Sequence, residues 1–300
     1  MYYVNRTIRS EKEAADFVRI CDQNFEHRLY QLVHSIVCGS TPEVITLSGP
    51  TCSGKTTAAR MLTAEIEAAG RNAMVLSIDD FFRDRSTLQS VDGTMDYDSV
   101  AAIDLEHLAA CTDSMLRGNN TVLPRYDFHT GTRSDFYEYV CVPEDIIVFE
   151  GIQAVYPEVT ALLREYPYKS IFINVSDDIT VNGVEFSRTD VRLARRLVRD
   201  ARFRSADPAF TLELWENVRA NEEKNIFPYA GNSDYHINSL QPYELFMIGQ
   251  YALPLLETVT KNSPHYETAQ MLAEKFRCID GSSIDPAHLS AGSLYHEFLG

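Results

Sequence analysis

Apolar residues along this chain recur in two patterns, one typical of helices and one typical of buried strands. Residues 11–37 carry apolar side chains at helical spacing, and Ser10 with Glu13 can form a capping box where that helix would begin. Short apolar runs typical of buried strands lie at 44–47, 73–78, 145–149 and 169–175. The alternation of such runs with helical segments predicts an α/β fold with a central parallel sheet.

The remaining pattern predicts smaller elements around that sheet. Two alternating segments, 121–126 and 136–142, are typical of strands and predict an antiparallel hairpin that stands off the main sheet. Further helices are predicted at 104–116, 210–227 and 241–258, with a last strand at 234–237. We therefore expect an N-terminal helical extension over 1–40 and one domain over 41–300, with the hairpin at about 121–142, an arginine-rich lid at about 187–205 and C-terminal helices at 241–300.

Composition narrows the class of protein. No apolar run approaches the roughly 20 residues that span a bilayer, and residues 1–6 lack the apolar region of a signal peptide, so we predict a cytoplasmic protein without a membrane partner. The net charge of −16 argues against a nucleic-acid partner, although it leaves room for a nucleotide site with local positive charge. Six scattered cysteines without a C-x-x-C pair indicate neither a zinc site nor a disulfide framework.

The strongest chemical signal is the stretch Gly49-Pro50-Thr51-Cys52-Ser53-Gly54-Lys55-Thr56, which matches the phosphate-binding P-loop pattern G-x-x-x-x-G-K-[ST]. A predicted strand precedes it and a good helix-forming sequence follows it, which disfavours the alternative of an ordinary turn. Backbone N–H groups of such a loop point at phosphate oxygens, while Lys55 would reach the β- and γ-phosphates and Thr56 would bind Mg²⁺. The residues predicted to contact the nucleotide are Gly49, Thr51, Cys52, Ser53, Gly54, Lys55, Thr56 and Thr57.

Two further predicted strands end in carboxylates. Asp79 and Asp80 follow the strand at 73–78, and Glu150 ends the strand at 145–149. Ligands of open α/β sheets bind at the carboxyl ends of the strands, although aspartates also serve as caps in such turns. With a P-loop upstream, Glu150 is typical of the acid that completes the Mg²⁺ sphere. The predicted metal-associated residues are Thr56, Glu150 and Asp79.

An arginine-rich helix is predicted within residues 188–204. Arg192, Arg195, Arg196 and Arg199 fall on one helical face, while Leu193 and similar residues lie on other faces. A solvated basic face is one interpretation. The local excess of positive charge in an acidic chain favours the other, a lid that faces phosphate.

These motifs agree in order and spacing with one family. The chain resembles the uridine kinase group of the phosphoribulokinase/uridine kinase family, and within it the bacterial branch in which the kinase follows threonyl-tRNA-synthetase-like domains. The resemblance implies a P-loop NTPase three-layer fold, ATP as phosphate donor, Mg²⁺, a small-molecule nucleoside acceptor and a homo-oligomer. The stretches that carry it are 49–56, 77–82, 97–98 with 102–104, 124–128, 149–152 and 192–200.

The resemblance also implies roles for individual residues. Asp79 would accept the proton of the nucleoside 5′-hydroxyl, and Asp98 would hold the ribose hydroxyls. Tyr126, His129 and Arg133 would lie in the hairpin that binds the acceptor, with Tyr126 against the base. Lys55, Arg192 and Arg196 would assist catalysis, and Arg195 and Arg199 would bind ATP. Gly131 departs from the pattern, because family members carry a base-reading histidine there.

The sequence hypothesis is therefore transfer of the γ-phosphate of ATP to the 5′-hydroxyl of uridine or cytidine. Three alternatives remain at this stage. A kinase of the same fold would act on another hydroxyl acceptor, such as another nucleoside, pantothenate or a sugar phosphate. A GTPase-like switch is disfavoured because no N-K-x-D motif is present. A non-catalytic nucleotide-binding regulator is disfavoured by the intact Lys55, Thr56, Asp79 and Glu150.

Overall fold

The computed structural model describes residues 1–40, 43–88, 90–91, 94–95, 99–279 and 284–300. The strands in chain order, β1 to β12, are Tyr2–Val4, Val44–Ser48, Asn72–Ser77, Ser90–Val91, Thr94–Met95, Asn120–Asp127, Thr132–Val140, Asp145–Glu150, Tyr168–Asn174, Ile179–Val181, Val184–Phe186 and Tyr235–Asn238. The α-helices, α1 to α10, are Glu11–Ser40, Lys55–Ala68, Leu105–Leu116, Pro157–Leu162, Arg188–Arg204, Pro208–Asn225, Phe227–Ala230, Glu244–Glu257, Tyr266–Arg277 and His296–Leu299.

The centre of the molecule is a five-stranded parallel sheet with the strand order β12-β9-β2-β8-β3. Strands β2 and β8 are buried along their whole length, which explains why both appear in the sequence as continuous apolar runs. The α/β fold class and each predicted core strand are confirmed. The strand order places the ends of β2, β8 and β3 side by side, at one edge of the sheet.

The predicted hairpin is present as β6 and β7, which pair antiparallel in a two-stranded sheet separate from the main one. A second small sheet was not predicted. Strand β1 pairs parallel with β10, and β10 pairs antiparallel with β11. This sheet joins the N-terminus to the segment that precedes the arginine-rich helix, a contact between residues about 180 positions apart that no local pattern indicates.

The N-terminal helix α1 is a single helix that begins at Glu11, and the preceding Ser10 accepts a hydrogen bond from the Glu13 N–H at 3.2 Å through its Oγ, as predicted for a cap. One face of α1 carries buried apolar side chains that belong to the main core, among them Val18, Phe25 and Ile36. Trp215 on α6 is 6% exposed and belongs to the same core. Among the described residues, no helix has the length and apolar character needed to cross a bilayer.

The arginine-rich helix α5 differs from the lid that the sequence predicts. Every residue of 191–198 is buried, including Arg192, Arg195 and Arg196. The helix packs against α6, α8 and α10. These three arginines are therefore part of the interior in this structure, where their charges require partners.

Candidate active site

The P-loop connects the end of β2 to the start of α2, as the motif requires. Gly54 caps α2 in a left-handed conformation with φ 91°, which favours glycine. A Cβ atom on Gly49 would lie 2.0 Å from the Ile173 carbonyl oxygen, so only glycine fits there as well. The Lys55 Nζ donates to the Pro50 carbonyl at 3.1 Å and thus lies across the loop. The loop is a cradle whose two glycines are both enforced by geometry.

Three strand ends bring acidic residues to this cradle. Glu150 ends β8 and is paired in register with Leu47 of β2 on one side and with Ser77 of β3 on the other. Asp79 and Asp80 lie in the short 3₁₀ helix Ile78–Phe81 that follows β3. Burial raises the pKa of Glu150 to about 7, with Lys55 acting in the opposite direction and Asp79 adding to the rise. The carboxylates and the P-loop lysine therefore share one electrostatic site, as the sequence predicts.

Asp80 contacts the hairpin. Its Oδ1 accepts a hydrogen bond from the backbone N–H of Tyr126, on the hairpin strand β6, at 3.0 Å. Burial raises the pKa of Asp80, and the Tyr126 hydrogen bond opposes that rise. Tyr126 is buried and packs edge-on against Phe82 and Phe128, at ring distances of 5.5 and 5.1 Å. Asp80 thus ties the end of β3 to the hairpin, a role that sequence reasoning missed.

The remaining predicted acceptor residues differ in their placement. The Arg133 Nη1 donates to Asp104 Oδ2 at 3.1 Å and contacts the His107 Nδ1 at 2.8 Å, so this arginine is tied to the start of α3. His129 is exposed at the hairpin turn, where its N–H donates to Asp127. Asp98 lies outside the described residues. The structure therefore brings Tyr126 to the carboxylates through Asp80, and it engages Arg133 with other protein groups.

The structure explains why residue 131 is a glycine, which the family resemblance did not indicate. Its φ is +74°, and a Cβ atom there would lie 2.7 Å from Arg85 Nε and 2.8 Å from Arg85 Cβ. Arg85 also holds the turn by two backbone contacts, one from its N–H to the Gly131 carbonyl at 2.8 Å and one from Nη2 to the Phe128 carbonyl at 2.5 Å. The Arg85 side chain occupies the space beside residue 131.

Two of the four predicted phosphate-facing arginines contact the P-loop backbone. The Arg192 Nε donates to the Thr51 carbonyl at 3.2 Å, and its Nη2 pairs with Glu222. Glu222 also accepts the Thr51 N–H at 3.3 Å, and it is 1% exposed. The carbonyl and the amide of one P-loop residue are thus both held by a buried ion pair.

Arg195 is fully buried and donates to the Cys52 carbonyl at 3.2 Å. Its other N–H groups are directed at Glu244, Ser239 and Tyr295. A guanidinium has five N–H donors, and these acceptors account for all of them. The prediction that Arg195 binds ATP is therefore not supported in this structure, because the arginine supports the P-loop from its buried side and has no donor left for a phosphate.

Arg196 and Arg199 have a different environment. Both are paired with Asp200, at 3.3 Å for Arg196 Nε and 2.7 Å for Arg199 Nη2. Both therefore differ from Arg192 and Arg195, whose guanidinium groups donate to the carbonyls of Thr51 and Cys52 in the P-loop.

Comparison with known proteins agrees with this geometry. A family model described as the phosphoribulokinase / uridine kinase family matches residues 44–245. A uridine kinase from Deinococcus deserti is 34% identical over 181 residues, which are 59% of this chain and 78% of that protein. A uridine kinase from Halobacterium salinarum is 28% identical over 63% of this chain and 77% of that protein. A solved structure from Bacillus stearothermophilus, described as a possible uridine kinase, has a TM-score of 0.42 at 22% identity, covering 50% of this chain and 79% of that one, which is too weak a similarity to support an inference.

The family model covers about two thirds of the chain and includes every strand of the main sheet, the P-loop and the arginine-rich helix. A match of this extent, together with a P-loop whose glycines the geometry enforces, makes the chain a kinase phosphotransferase with the fold described above. The chain belongs to the phosphoribulokinase / uridine kinase family.

Proposed function

We propose that the chain transfers the γ-phosphate of ATP to the 5′-hydroxyl of a nucleoside, with uridine and cytidine as the first candidates. Family membership and the relatives named uridine kinase support the reaction type. The observation that carries the proposal is the hydrogen bond from Tyr126 to Asp80, which joins the hairpin to the strand end that bears Asp79. Because of that contact, an acceptor held by the hairpin would lie near Asp79, in the 3₁₀ helix that follows β3.

The residues present fit a magnesium ion. Magnesium prefers hydroxyl, carboxylate, phosphate and water oxygens, and it is held in kinases mainly by phosphates and water. Thr56 is exposed at the start of α2, and the carboxylate of Glu150 ends the strand next to it. Within the described part of the chain, no three acidic, histidine or cysteine side chains form a metal site by themselves. Thr56 and Glu150 would hold Mg²⁺, which supplies charge neutralisation on the transferred group.

The donor triphosphate is proposed to bind along the P-loop backbone. Lys55 would leave the Pro50 carbonyl and donate to the β- and γ-phosphates. Arg196 and Arg199, which pair with Asp200 on their own helix, would donate to the phosphates as the transition state forms. Arg192 and Arg195 would keep the loop in shape through the carbonyls of Thr51 and Cys52.

Asp79 is proposed as the general base. It would orient the attacking hydroxyl and take its proton, and Asp80 would hold the hairpin through the Tyr126 N–H. Tyr126 and the neighbouring aromatic rings of Phe82 and Phe128 would pack against the acceptor base. Asp98 stays the predicted partner of the ribose hydroxyls, and His129 stays a predicted contact of the acceptor. Most of the catalytic effect in such reactions comes from positioning and charge stabilisation.

A second acceptor class is favoured by the hairpin turn. Gly131 has no side chain that could read a pyrimidine, and the guanidinium of Arg85 lies where such a side chain would project. A cation at this point suits an acceptor that carries an anionic group, such as pantothenate or a sugar phosphate. The family fold and the phosphoryl-transfer residues would be the same.

The test is ADP release from Mg·ATP in the presence of uridine, cytidine, adenosine, guanosine, thymidine, pantothenate and ribulose 5-phosphate. Release stimulated by uridine or cytidine, and lost in Lys55→Ala, supports the proposal. Release stimulated only by pantothenate or the sugar phosphate supports the second acceptor class and contradicts the nucleoside assignment. ATP binding without stimulation by any acceptor would indicate a nucleotide-binding regulator.

A further inference from the structure

The C-terminal segment, residues 284–300, packs directly against the P-loop although it lies outside the region shared with the family. A Cβ atom on Gly54 would lie 2.5 Å from the Leu294 Cδ1, so Leu294 covers the glycine that precedes Lys55. Tyr295 reaches the buried pair of Arg195 and Glu244. Leu294, Tyr295 and Phe298 are at most 2% exposed. The segment is therefore an ordered part of the structure that packs beside the P-loop.

The N-terminal helix holds this segment in place. Asp22 on α1 accepts a hydrogen bond from the Tyr243 hydroxyl at 2.6 Å and another from the Ser290 hydroxyl at 3.2 Å. The Ser290 hydroxyl also lies 3.3 Å from Glu26 on α1. The two extensions beyond the family region are thus clasped together, which fixes the position of the residues that follow Ser290.

Between this segment and the first turns of α2 lies a cavity of about 470 Å³. Its lining includes Thr56, Thr57, Met61, Phe203, Ser293 and Glu297. It begins at the residues that follow Lys55, where a triphosphate on the P-loop continues into its nucleoside. Cavities of 300–1,000 Å³ are typical of small-molecule sites, so the volume suits a nucleoside.

Phe203 and Glu297 offer a ligand in this cavity a stacking surface and a hydrogen-bond acceptor. Phe203 is 56% exposed, and an aromatic side chain exposed in a cavity offers a base a surface to stack on. The Glu297 Oε2 is shielded from solvent and has no hydrogen-bond partner among the described residues. Glu297 lines the cavity together with Thr56 and Thr57, the two residues that follow Lys55, so it belongs to the end of the cavity nearest the P-loop.

We propose that this cavity binds the nucleoside of the donor triphosphate, and that Glu297 accepts hydrogen bonds from the ribose 2′- and 3′-hydroxyls. In ATP the ribose follows the α-phosphate directly. The ribose is therefore the group expected beside a carboxylate at the end of the cavity nearest the phosphates. An ionised carboxylate only accepts hydrogen bonds, and two adjacent hydroxyls supply two donors. The C-terminal segment would thereby take part in donor recognition. The inference rests on the proposed function only in requiring a donor triphosphate on the P-loop.

The test is titration calorimetry of the full chain with three magnesium complexes and no acceptor: ATP, 2′,3′-dideoxy-ATP and inorganic tripolyphosphate. Glu297→Gln is expected to weaken ATP binding about tenfold, the effect of losing hydrogen bonds to a charged group, and to leave the other two within about twofold. Glu274→Gln removes the same charge from an exposed position on α9 and should change none of the three. Phe203→Ala should weaken both nucleotides about tenfold and spare tripolyphosphate.

The proposal is overturned if Glu297→Gln weakens ATP and dideoxy-ATP equally. It is also overturned if the variant tightens all three ligands, which would make Glu297 a residue that repels phosphate. Failure of the wild-type chain to bind tripolyphosphate and ATP would remove the donor site and this inference together. Normal ribose discrimination without turnover in the acceptor assay would contradict the proposed reaction and leave this inference standing.

Discussion

Arg195 and Glu244 form an ion pair in which neither side chain is exposed, with Nη2 and Oε2 2.8 Å apart. The same guanidinium donates to the Cys52 carbonyl of the P-loop at 3.2 Å. The pair therefore connects α5 and α8 to the phosphate-binding loop through one side chain. Such a pair is retained only when its hydrogen bonds are satisfied, as they are here by Ser239 and Tyr295.

Replacing one partner of this pair should destabilise the protein strongly. Glu244→Gln leaves the Arg195 charge buried without its counter-charge, and we expect a loss of about 3–5 kcal/mol in the free energy of unfolding, measured by urea denaturation. Glu257→Gln breaks the exposed pair with Arg277 and should cost less than about 1 kcal/mol. Equal costs for the two variants would contradict the assignment of Arg195 as a buried structural residue.

Two glycines with similar backbone angles should respond differently to alanine. Gly131 and Gly183 have φ values of +74° and +85°, but only Gly131 has neighbours within 4 Å of a new Cβ atom. Gly183→Ala should cost about 1 kcal/mol from backbone strain alone. Gly131→Ala should cost more, because the new atom also meets Arg85. Adding Arg85→Ala to Gly131→Ala should recover part of the excess in urea denaturation; no recovery would exclude crowding as its cause.

Substitutions of the two adjacent aspartates should change different kinetic constants. Asp79→Asn should lower kcat by about 10²-fold or more with ATP binding nearly intact, because it removes the proposed general base. Asp80→Ala should instead raise the acceptor KM, since it removes the contact that ties Tyr126 to the strand end. An unchanged kcat in Asp79→Asn, or a kcat loss confined to Asp80→Ala, would reverse the assignment.

Lys55→Ala should abolish turnover, because no other P-loop side chain carries a positive charge to the β- and γ-phosphates. The measurement is ADP release at saturating acceptor. The control is Lys12→Ala, which removes the same charge from the exposed surface of α1. This variant should release ADP at the wild-type rate. A normal rate in Lys55→Ala would refute the phosphate role of the loop.

Stability in acid should depend on Asp145, at the start of β8. Burial alone would raise its pKa, but hydrogen bonds from the Val142 N–H, the Tyr139 hydroxyl and the Asn72 amide, at 3.0, 2.7 and 3.0 Å, lower it below 3.8. A lowered carboxyl pKa contributes stability that is present above about pH 4 and is lost as the pH falls through the folded-state value.

Asp145→Asn should therefore cost about 1–3 kcal/mol at pH 7 and should flatten the fall in stability below pH 4. Urea denaturation at pH 7 and at intervals down to pH 2.5 would measure both effects. Asp135, on the exposed face of β7, provides the control: Asp135→Asn should keep the wild-type pH dependence. If Asp145→Asn keeps it as well, the hydrogen bonds do not lower the carboxyl pKa.

Much of the site was predictable from sequence because its signals are local. The P-loop needs a strand, eight residues and a helix in direct succession, and all of these lie within 44–68. Asp79 and Glu150 each follow their own apolar run, so the parallel sheet alone predicts that they meet. The hairpin of β6 and β7 was predictable for the same reason, since its strands are joined by a short turn.

The arginines and the C-terminal segment were not predictable in this way. Helical periodicity correctly places Arg192, Arg195, Arg196 and Arg199 on α5, but it cannot distinguish a phosphate ligand from a buried pair with Glu222 or Glu244. No local pattern indicates that Ser290 contacts α1, 268 residues earlier, or that Leu294 covers Gly54.

The sequence by itself therefore determined the family, the main sheet and the phosphate-binding loop, because those depend on hydrophobic period and on backbone conformations that particular residues enforce. Only the tertiary structure decided which arginines support the P-loop, why residue 131 is glycine and where the C-terminal segment lies. These depend on burial and on partners distant in the chain, and a buried charge takes its role from the group that compensates it.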